Sequence, residues 1–494
     1  MAPSLSARRG AAAAAAVALA GGAVAFNRFL VGVFYDDGLY AGLALALSQG
    51  LGYVHPHLPG LPGAVHYPPL YPLVLTPFFG LLPVDAAAAG AKLLNLLLAA
   101  AGAGLIAWHA RRHELLGAAA PSWLAPAVVA AAALAIPVLT TQSVLFAEPL
   151  FVLLLAVAVV YADDARVIPT GVATALALLT RSIGIAAGAG IVLYLLLVRR
   201  ELPRRALLAL APVALAGAAW GLWVVTHQRG IDPALALNYG SYGEILKQAG
   251  LSAVGVSAPD LPRPLAAITL GWLPAAPLVW LFALPALVVL GYGLALLARR
   301  SSIGLTLLGY LAILAIWPYP PDRFLWAVLP WLALAWAAGA VALWRHARLR
   351  VPVALVSAVL AIGYARYEVR GFAGRWWAGA ARAISANFRE LLPGLRALPA
   401  DAVLATDDEA LVWLYTGRTA VPLYLYEYRG RATVEPEPAA HRAYLERMGV
   451  THVVLASASA DGARELRALL TAFPGWLVGV HRWSGGRWIF AVHE

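Results

Sequence analysis

The sequence predicts an all-α polytopic membrane protein with about eleven transmembrane helices, followed by a small extracytoplasmic α/β domain. Three observations predict it. The 494-residue chain is 62% hydrophobic and only 12% charged, more apolar surface than one soluble core can hide. Apolar segments near the length that crosses a bilayer as a helix, about 20 residues, recur from residue 11 to about 367. From residue 370 to the end the composition is that of an ordinary globular domain. The expected division is therefore a membrane domain over 1–369 and a soluble domain over 370–494.

In chain order, SARRGAAAAAAVALAGGAVAF has the basic start, apolar middle and small-residue end of a signal peptide. The apolar run continues to Phe34, so a retained first helix over about 11–33 is expected. Residues 34–86 are broken by Pro, Gly, His and Asp and read as a first external loop. That loop would carry an interfacial helix near 38–50, a glycine-rich lid over 51–66 and a second interfacial helix at 67–82, where Pro68, Pro69 and Pro72 suit a helix start. Further spans are expected at about 87–109, 121–140, 149–162, 167–182, 184–198, 206–226, 270–298, 303–318, 324–344 and 351–367. Alternating them from a cytoplasmic N-terminus puts RRH at 111–113, DDAR at 163–166, RRELPRR at 199–205, RR at 299–300 and RHARLR at 345–350 on one side, as the positive-inside rule requires. The loops 34–86, 141–148, 227–269 and 319–323 and the whole C-terminal domain then face outward. There AVLATDDEALVWLYTG, THVVLASASADGARELRALLTAFPGW and WIFAVHE alternate strand-like and helix-like runs, which predicts a small α/β fold.

Composition also excludes classes. There is no cysteine, so neither a disulfide framework nor a thiolate metal site is possible. The formal charge of +11 comes from arginines between apolar segments and not from a basic face with interleaved aromatics, which argues against nucleic acid as a partner. No solenoid repeat is visible.

Few residues stand out as chemistry. Asp36 and Asp37 follow the first span; an N-cap explains one acid there, but the second is harder to explain. Glu148, in SVLFAEPLFVLL, is a lone acid at a bilayer boundary, where function is the default reading, against a helix-start carboxylate next to Pro149. Arg181 and Arg323 interrupt apolar runs on the same expected side, where a guanidinium fork suits a phosphate and snorkelling to headgroups is the bland alternative. His66, Tyr67 and Tyr71 line the HYPPLYP stretch as substrate-loop candidates. His55, His57 and His66 have a spacing that can hold zinc, and the acid pair could hold a hard divalent cation, but no metal ligand is assigned. Asp407, Asp408 and Glu409 read as the acidic first turn of a helix, without catalysis.

Together, DDGLYAGLALALSQGLGY, HYPPLYP, AEPLF and LTRSIG resemble the polytopic GT-C superclass of glycosyltransferases, in particular relatives of the dolichyl-phosphate-mannose protein mannosyltransferases and of the lipid A aminoarabinose transferase. The resemblance covers roughly residues 11–345. It implies transfer of a sugar from a polyprenyl-phosphate donor to a hydroxyl of a lipid, glycan or protein outside the cytoplasm, typically with inversion. It also implies roles: Asp36 as the first-loop catalytic acid, Asp37 as its partner, Glu148 as the second-loop acid and Arg181 as the basic residue at that place; Arg323, read from its own position, would be a further phosphate ligand. The family often has Glu for the partner acid and Lys for the basic residue, and here the chain departs from it. The Ala, Leu and Arg content suggests a GC-rich bacterial genome, hence an inner membrane with a periplasmic active face. The rival reading is a transporter or lipid flippase, which would carry polar residues near span midpoints and inverted repeats.

Overall fold

The computed structural model describes residues 5–249, 258–317, 319–429 and 432–493. Part of the expected 227–269 loop, residues 250–257, lies outside them. The helices are α1 (Leu5–Ala25), α2 (Asp36–Ser48), α3 (Leu70–Leu81), α4 (Val84–Arg112), α5 (Leu124–Leu134), α6 (Ile136–Ser143), α7 (Glu148–Asp163), α8 (Val167–Thr180), α9 (Ile185–Leu193), α10 (Pro203–His227), α11 (Ala236–Tyr239) and α12 (Tyr242–Ala249). They continue as α13 (Arg263–Thr269), α14 (Ala276–Arg300), α15 (Ser302–Ala315), α16 (Asp322–Trp344), α17 (Arg350–Gly374), α18 (Gly379–Ala397), α19 (Glu409–Thr416), α20 (Pro438–Arg447) and α21 (Gly462–Ala472). Strands β1 (Val403–Thr406), β2 (Thr419–Pro422), β3 (Glu427–Arg429), β4 (Ala432–Val434), β5 (His452–Leu455), β6 (Leu477–Trp483) and β7 (Arg487–Val492) all lie near the C-terminus.

Among the described residues five helices are long and apolar enough to cross a membrane, or six if the bent pair α5–α6 is one span. Of the others expected as spans, α1 has 21 residues but is less apolar, and α8 and α15 have only 14 each, about 21 Å at the α-helical rise. The second interfacial helix begins just after Pro68 and Pro69 with Pro72 in its first turn, as the sequence suggests, but also holds Pro77 in its interior, and its 12 residues cover only about 18 Å.

The chain folds into two compact units, each built from separated stretches. The first comprises residues 1–26, 92–220 and 253–377 and is helical. In it α14 and α16 cross at Gly293 and Gly339. A Cβ built on Gly293 would lie 1.7 Å from the Ala335 carbonyl oxygen, and one on Gly339 would lie 2.1 Å from that of Val289, so only glycine lets the two backbones meet. The α5–α6 axis breaks by 58° at Ala135. The Ile136 N–H orphaned there donates to the Glu368 carboxylate at 3.1 and 3.2 Å, which supplies the acceptor that a broken apolar helix lacks. The Asn95 amide, on α4, donates to the carbonyls of Val144 and Phe146 at 3.3 and 3.0 Å and fixes the turn leading into α7.

The second unit comprises residues 27–91, 221–252 and 378–494. Its five-stranded sheet has the order β2-β1-β5-β7-β6. β1 runs parallel to β2 and β5, while β7 is antiparallel to β5 and β6. Amphipathic α18 lays Ala381, Ser385, Phe388, Leu391, Leu392 and Leu395 on the core, the 3–4 spacing of a one-faced helix. Leu30 and Val33 are buried in that same core. The expected first helix therefore does not run to 33: it ends at Ala25, because residues 30–33 are apolar for protein packing and not for lipid. The Leu30 N–H donates to Ser385 Oγ at 3.1 Å and the Val31 N–H to the Tyr415 hydroxyl at 3.2 Å, replacing bonds a continued helix would have made.

Candidate functional site

The acid pair opens α2, and its two members do different work. Before it the chain makes a tight reversal at Gly32, whose φ is +97° and whose added Cβ would meet Leu411 backbone atoms at 2.8–2.9 Å. Asp37, fully buried, accepts the Gly32 N–H at 3.0 Å on Oδ2 and the Phe34 N–H at 2.9 Å on Oδ1. Both carboxylate oxygens thus close the turn that presents its neighbour, by the charge-assisted bonds a carboxylate makes to backbone N–H groups. Between Phe34 and Asp36, Tyr35 holds φ +60°, a conformation that costs energy in a residue other than glycine.

Asp36 is 8% exposed and its Oδ1 accepts the Tyr67 hydroxyl at 2.7 Å. Burial first, and then the Asp36 charge, push the Tyr67 phenol well above its ordinary value, so Tyr67 is the donor. The Tyr67 ring sits edge-on to Tyr40, which in turn packs edge-on to Tyr71, each with centroids 5.0 Å apart. The Tyr67 carbonyl accepts the Tyr53 hydroxyl at 2.9 Å. His66 packs on Tyr67 and places Nδ1 2.8 Å from the Gly240 carbonyl; a carbonyl only accepts, so that nitrogen carries the proton. The structure thus brings Asp36, His66, Tyr67 and Tyr71 together in one unit.

The 51–66 segment is packed and tied, contrary to the expectation of a mobile lid. A bridge pairs Val54 with Gly63, the His55 N–H donates to the Pro62 carbonyl, the Ala420 N–H to that of His57 and the Trp223 indole N–H to that of Ala64. Gly50, Gly52 and Gly60 take positive φ and serve turns. His55 and His57 are 1% exposed. His57 Nε2 lies 2.9 Å from the Tyr239 hydroxyl, which donates in turn to Glu409 in the first turn of α19. Burial lowers His57 to about 3 and raises Glu409 to about 8, so this line is uncharged at neutral pH. His57 Nε2 and His66 Nδ1 are thus each directed at an oxygen.

In the helical unit Glu148 opens α7 with Pro149 next to it, and its side chain is 1% exposed. Arg181, in extended backbone at the end of α8, reaches Glu148 Oε1 with Nη1, and Arg323, in the first turn of α16, reaches the same oxygen with Nε at 2.9 Å. Each guanidinium also covers an aromatic face: Arg181 lies 4.6 Å above Phe324, and Arg323 lies 4.4 Å above Phe146. A carboxylate shared by two cations that are each stacked from the other side orients those cations.

Reasoning from sequence missed several residues. Lys92, one of two lysines in the chain, is 2% exposed inside α4, and a lone lysine within an apolar span is a signal that could have been read. Asn95 lies one turn further on. Tyr40 and Tyr239 carried no signal, because their partners are set by the fold.

No protein-family model and no curated protein matches the chain. Among solved structures it is similar to ArnT from Cupriavidus metallidurans bound to undecaprenyl phosphate, with 16% identity, 96% of each chain covered and a TM-score of 0.49. It is also similar to the oligosaccharyltransferase AglB from Archaeoglobus fulgidus in complex with an inhibitory peptide and a dolichol-phosphate, with 12% identity, 97% of this chain and 74% of that one covered, and a TM-score of 0.48. The same Archaeoglobus oligosaccharyltransferase in complex with Zn and sulfate gives 12% identity, 96% and 73% coverage and a TM-score of 0.49. At TM-scores under 0.5 these likenesses assign no activity.

Proposed function

We propose that the chain is a membrane glycosyltransferase of the GT-C kind, moving a sugar from a polyprenyl-phosphate carrier to a hydroxyl of a lipid, glycan or protein acceptor at the extracytoplasmic face, with inversion. The observation that carries this reading is the split within the acid pair. Asp37 spends both oxygens on backbone N–H groups, whereas Asp36 is presented by that turn and bonded by a neutral tyrosine. That is how a general base is held in a fixed pose. In the reaction Asp36 takes the acceptor's O–H proton while the acceptor oxygen bonds to the anomeric carbon. The bond from that carbon to the phosphate oxygen breaks, and the electron pair leaves on the polyprenyl phosphate.

The leaving phosphate needs cations and not an acid. Arg181 and Arg323 supply them, and Glu148 is their positioning residue rather than a proton donor. Asp37 positions Asp36, and His66, Tyr67 and Tyr71 shape the substrate loop. A divalent ion at the acid pair is not required by these roles. We infer eleven crossings, counting α5–α6 and 182–198 as one each, in a bacterial inner membrane with the sheet-bearing unit in the periplasm. The arginines that close α4 and α14 support this orientation.

Binding of polyprenyl phosphate to protein in nanodiscs tests the division of labour. Arg181→Ala and Arg323→Ala should each weaken binding about tenfold or more, while Asp36→Asn leaves it within about twofold. Equal affinity in all three would contradict the assignment of the arginines.

A further inference from the structure

At the end of α4, His109 lies in the last turn and His113 follows one turn later, its N–H bonded to the His109 carbonyl at 3.0 Å. The i, i+4 spacing puts the two imidazoles on one face of the helix, with ring centroids 4.7 Å apart. Opposite them stands Asp163, the last residue of α7, 4% exposed. Its Oδ2 is 2.8 Å from His109 Nε2 and accepts the Ser301 hydroxyl at 2.5 Å, while its Oδ1 accepts the Ser302 N–H at 2.8 Å. One donor atom from each of His109, His113 and Asp163 lies within 4.8 Å of the other two. His113 Nε2 is buried without a hydrogen-bond partner, with Asp164 Oδ1 3.5 Å away.

We propose that His109, His113 and Asp163 form a binding site for one divalent transition-metal ion of the Zn²⁺ class. Two imidazole nitrogens and one carboxylate oxygen are a donor set that zinc and its neighbours accept, leaving a fourth position for water or Asp164. Tetrahedral ligands at zinc distances stand about 3.3 Å apart, so the 2.8 Å pair must open by about half an ångström and the wider separations, up to 4.8 Å, close by as much as about 1.5 Å through side-chain rotation to admit the ion. The ion takes the place of the proton between His109 Nε2 and Asp163, and that proton moves to Nδ1 or to solvent. Ser301 and Ser302 already orient the carboxylate from behind, as supporting groups do for metal ligands. Arg112 is paired with Asp164 at 2.9 Å. A histidine–aspartate hydrogen bond alone would explain His109 and Asp163, but it leaves the buried Nε2 of His113 with only a long 3.5 Å approach to Asp164 and no hydrogen bond.

The ion would bolt the ends of α4 and α7 to the start of α15, independently of the transferase reading. The test uses full-length protein in detergent, freed of any affinity tag and stripped with chelator, then equilibrated with Co²⁺ or Zn²⁺. Expected are about one bound ion per chain, a tetrahedral Co²⁺ absorption band, and at least a tenfold loss of affinity in His113→Ala, which keeps the His109–Asp163–Ser301 bonds. His55→Ala, in the other unit, should bind as the wild type does. Absence of stoichiometric binding in the wild type, or binding that survives His113→Ala or falls with His55→Ala, would overturn the proposal.

Discussion

Asp36 and Asp37 are adjacent, yet replacing them should have different consequences. Asp36→Asn keeps an acceptor for the Tyr67 hydroxyl, so its melting point should match the wild type while turnover falls by the 10²–10⁴ typical of a lost general base. Asp37→Asn removes one of two charge-assisted acceptors and turns an NH₂ toward a backbone N–H. A cost of about 1.5–3 kcal/mol follows, to be read as a lower melting temperature together with lower turnover. Tyr67→Phe separates positioning from packing, since it keeps the ring against Tyr40 and removes only the hydroxyl. It should shift the pH profile of turnover and, by removing a buried donor to a carboxylate, cost about 1.5–3 kcal/mol of stability. The acid pair itself was legible from sequence, because two carboxylates after an apolar run have no bland explanation. The labour of Asp37 was not, because it depends on which N–H groups the Gly32 turn aims at it.

At the level of elements, close approach and helix length decide what hydropathy leaves open. Gly339→Ala would bring a Cβ to 2.1 Å from the Val289 carbonyl oxygen, and overpacking at a crossing this tight costs about 1–3 kcal/mol. The expected readout is a melting temperature several degrees lower in detergent, whereas Gly291→Ala, with nothing within 4 Å of its added Cβ, should be neutral. The positions of α4, α10, α14, α16 and α17 follow from runs of apolar residues long enough to cross a bilayer. The end of α1 does not, because Leu30 and Val33 are as apolar in the core of the sheet-bearing unit as they would be in lipid. Glu409 was read as an ordinary first-turn acid of a helix, and it does open α19. Its burial by Tyr239, 170 residues away in sequence, has no local signature.

For the molecule as a whole, pH and topology give two further checks. Glu409, raised to about 8 by burial, contributes stability in full below its unfolded value near 4.5 and loses it as pH rises through 8. His57, lowered to about 3 by burial, contributes in full above its unfolded value near 6.5 and loses it as pH falls toward 3. The melting temperature should therefore be highest between about pH 4.5 and 6.5, where the two opposing trends offset, and fall both from 6.5 to 8 and from 4.5 toward 3; Glu409→Gln should remove the fall above 6.5 while leaving the acid one. Because the chain has no cysteine, single introduced cysteines report sidedness without background. Arg348→Cys and Ser459→Cys, both at exposed positions, should be labelled from opposite sides of the membrane, and labelling from the same side would refute the inferred orientation. The central claim is the transfer chemistry at Asp36. Its most direct test is the release of polyprenyl phosphate from radiolabelled polyprenyl-phosphate sugars by purified protein in nanodiscs, with crude acceptor lipid and protein added, wild type beside Asp36→Asn. Release by the wild type that falls by at least a hundredfold in the folded mutant is the predicted result. Release that persists at the wild-type rate in Asp36→Asn, or none from any donor while the lipid itself is moved across the bilayer, would contradict it.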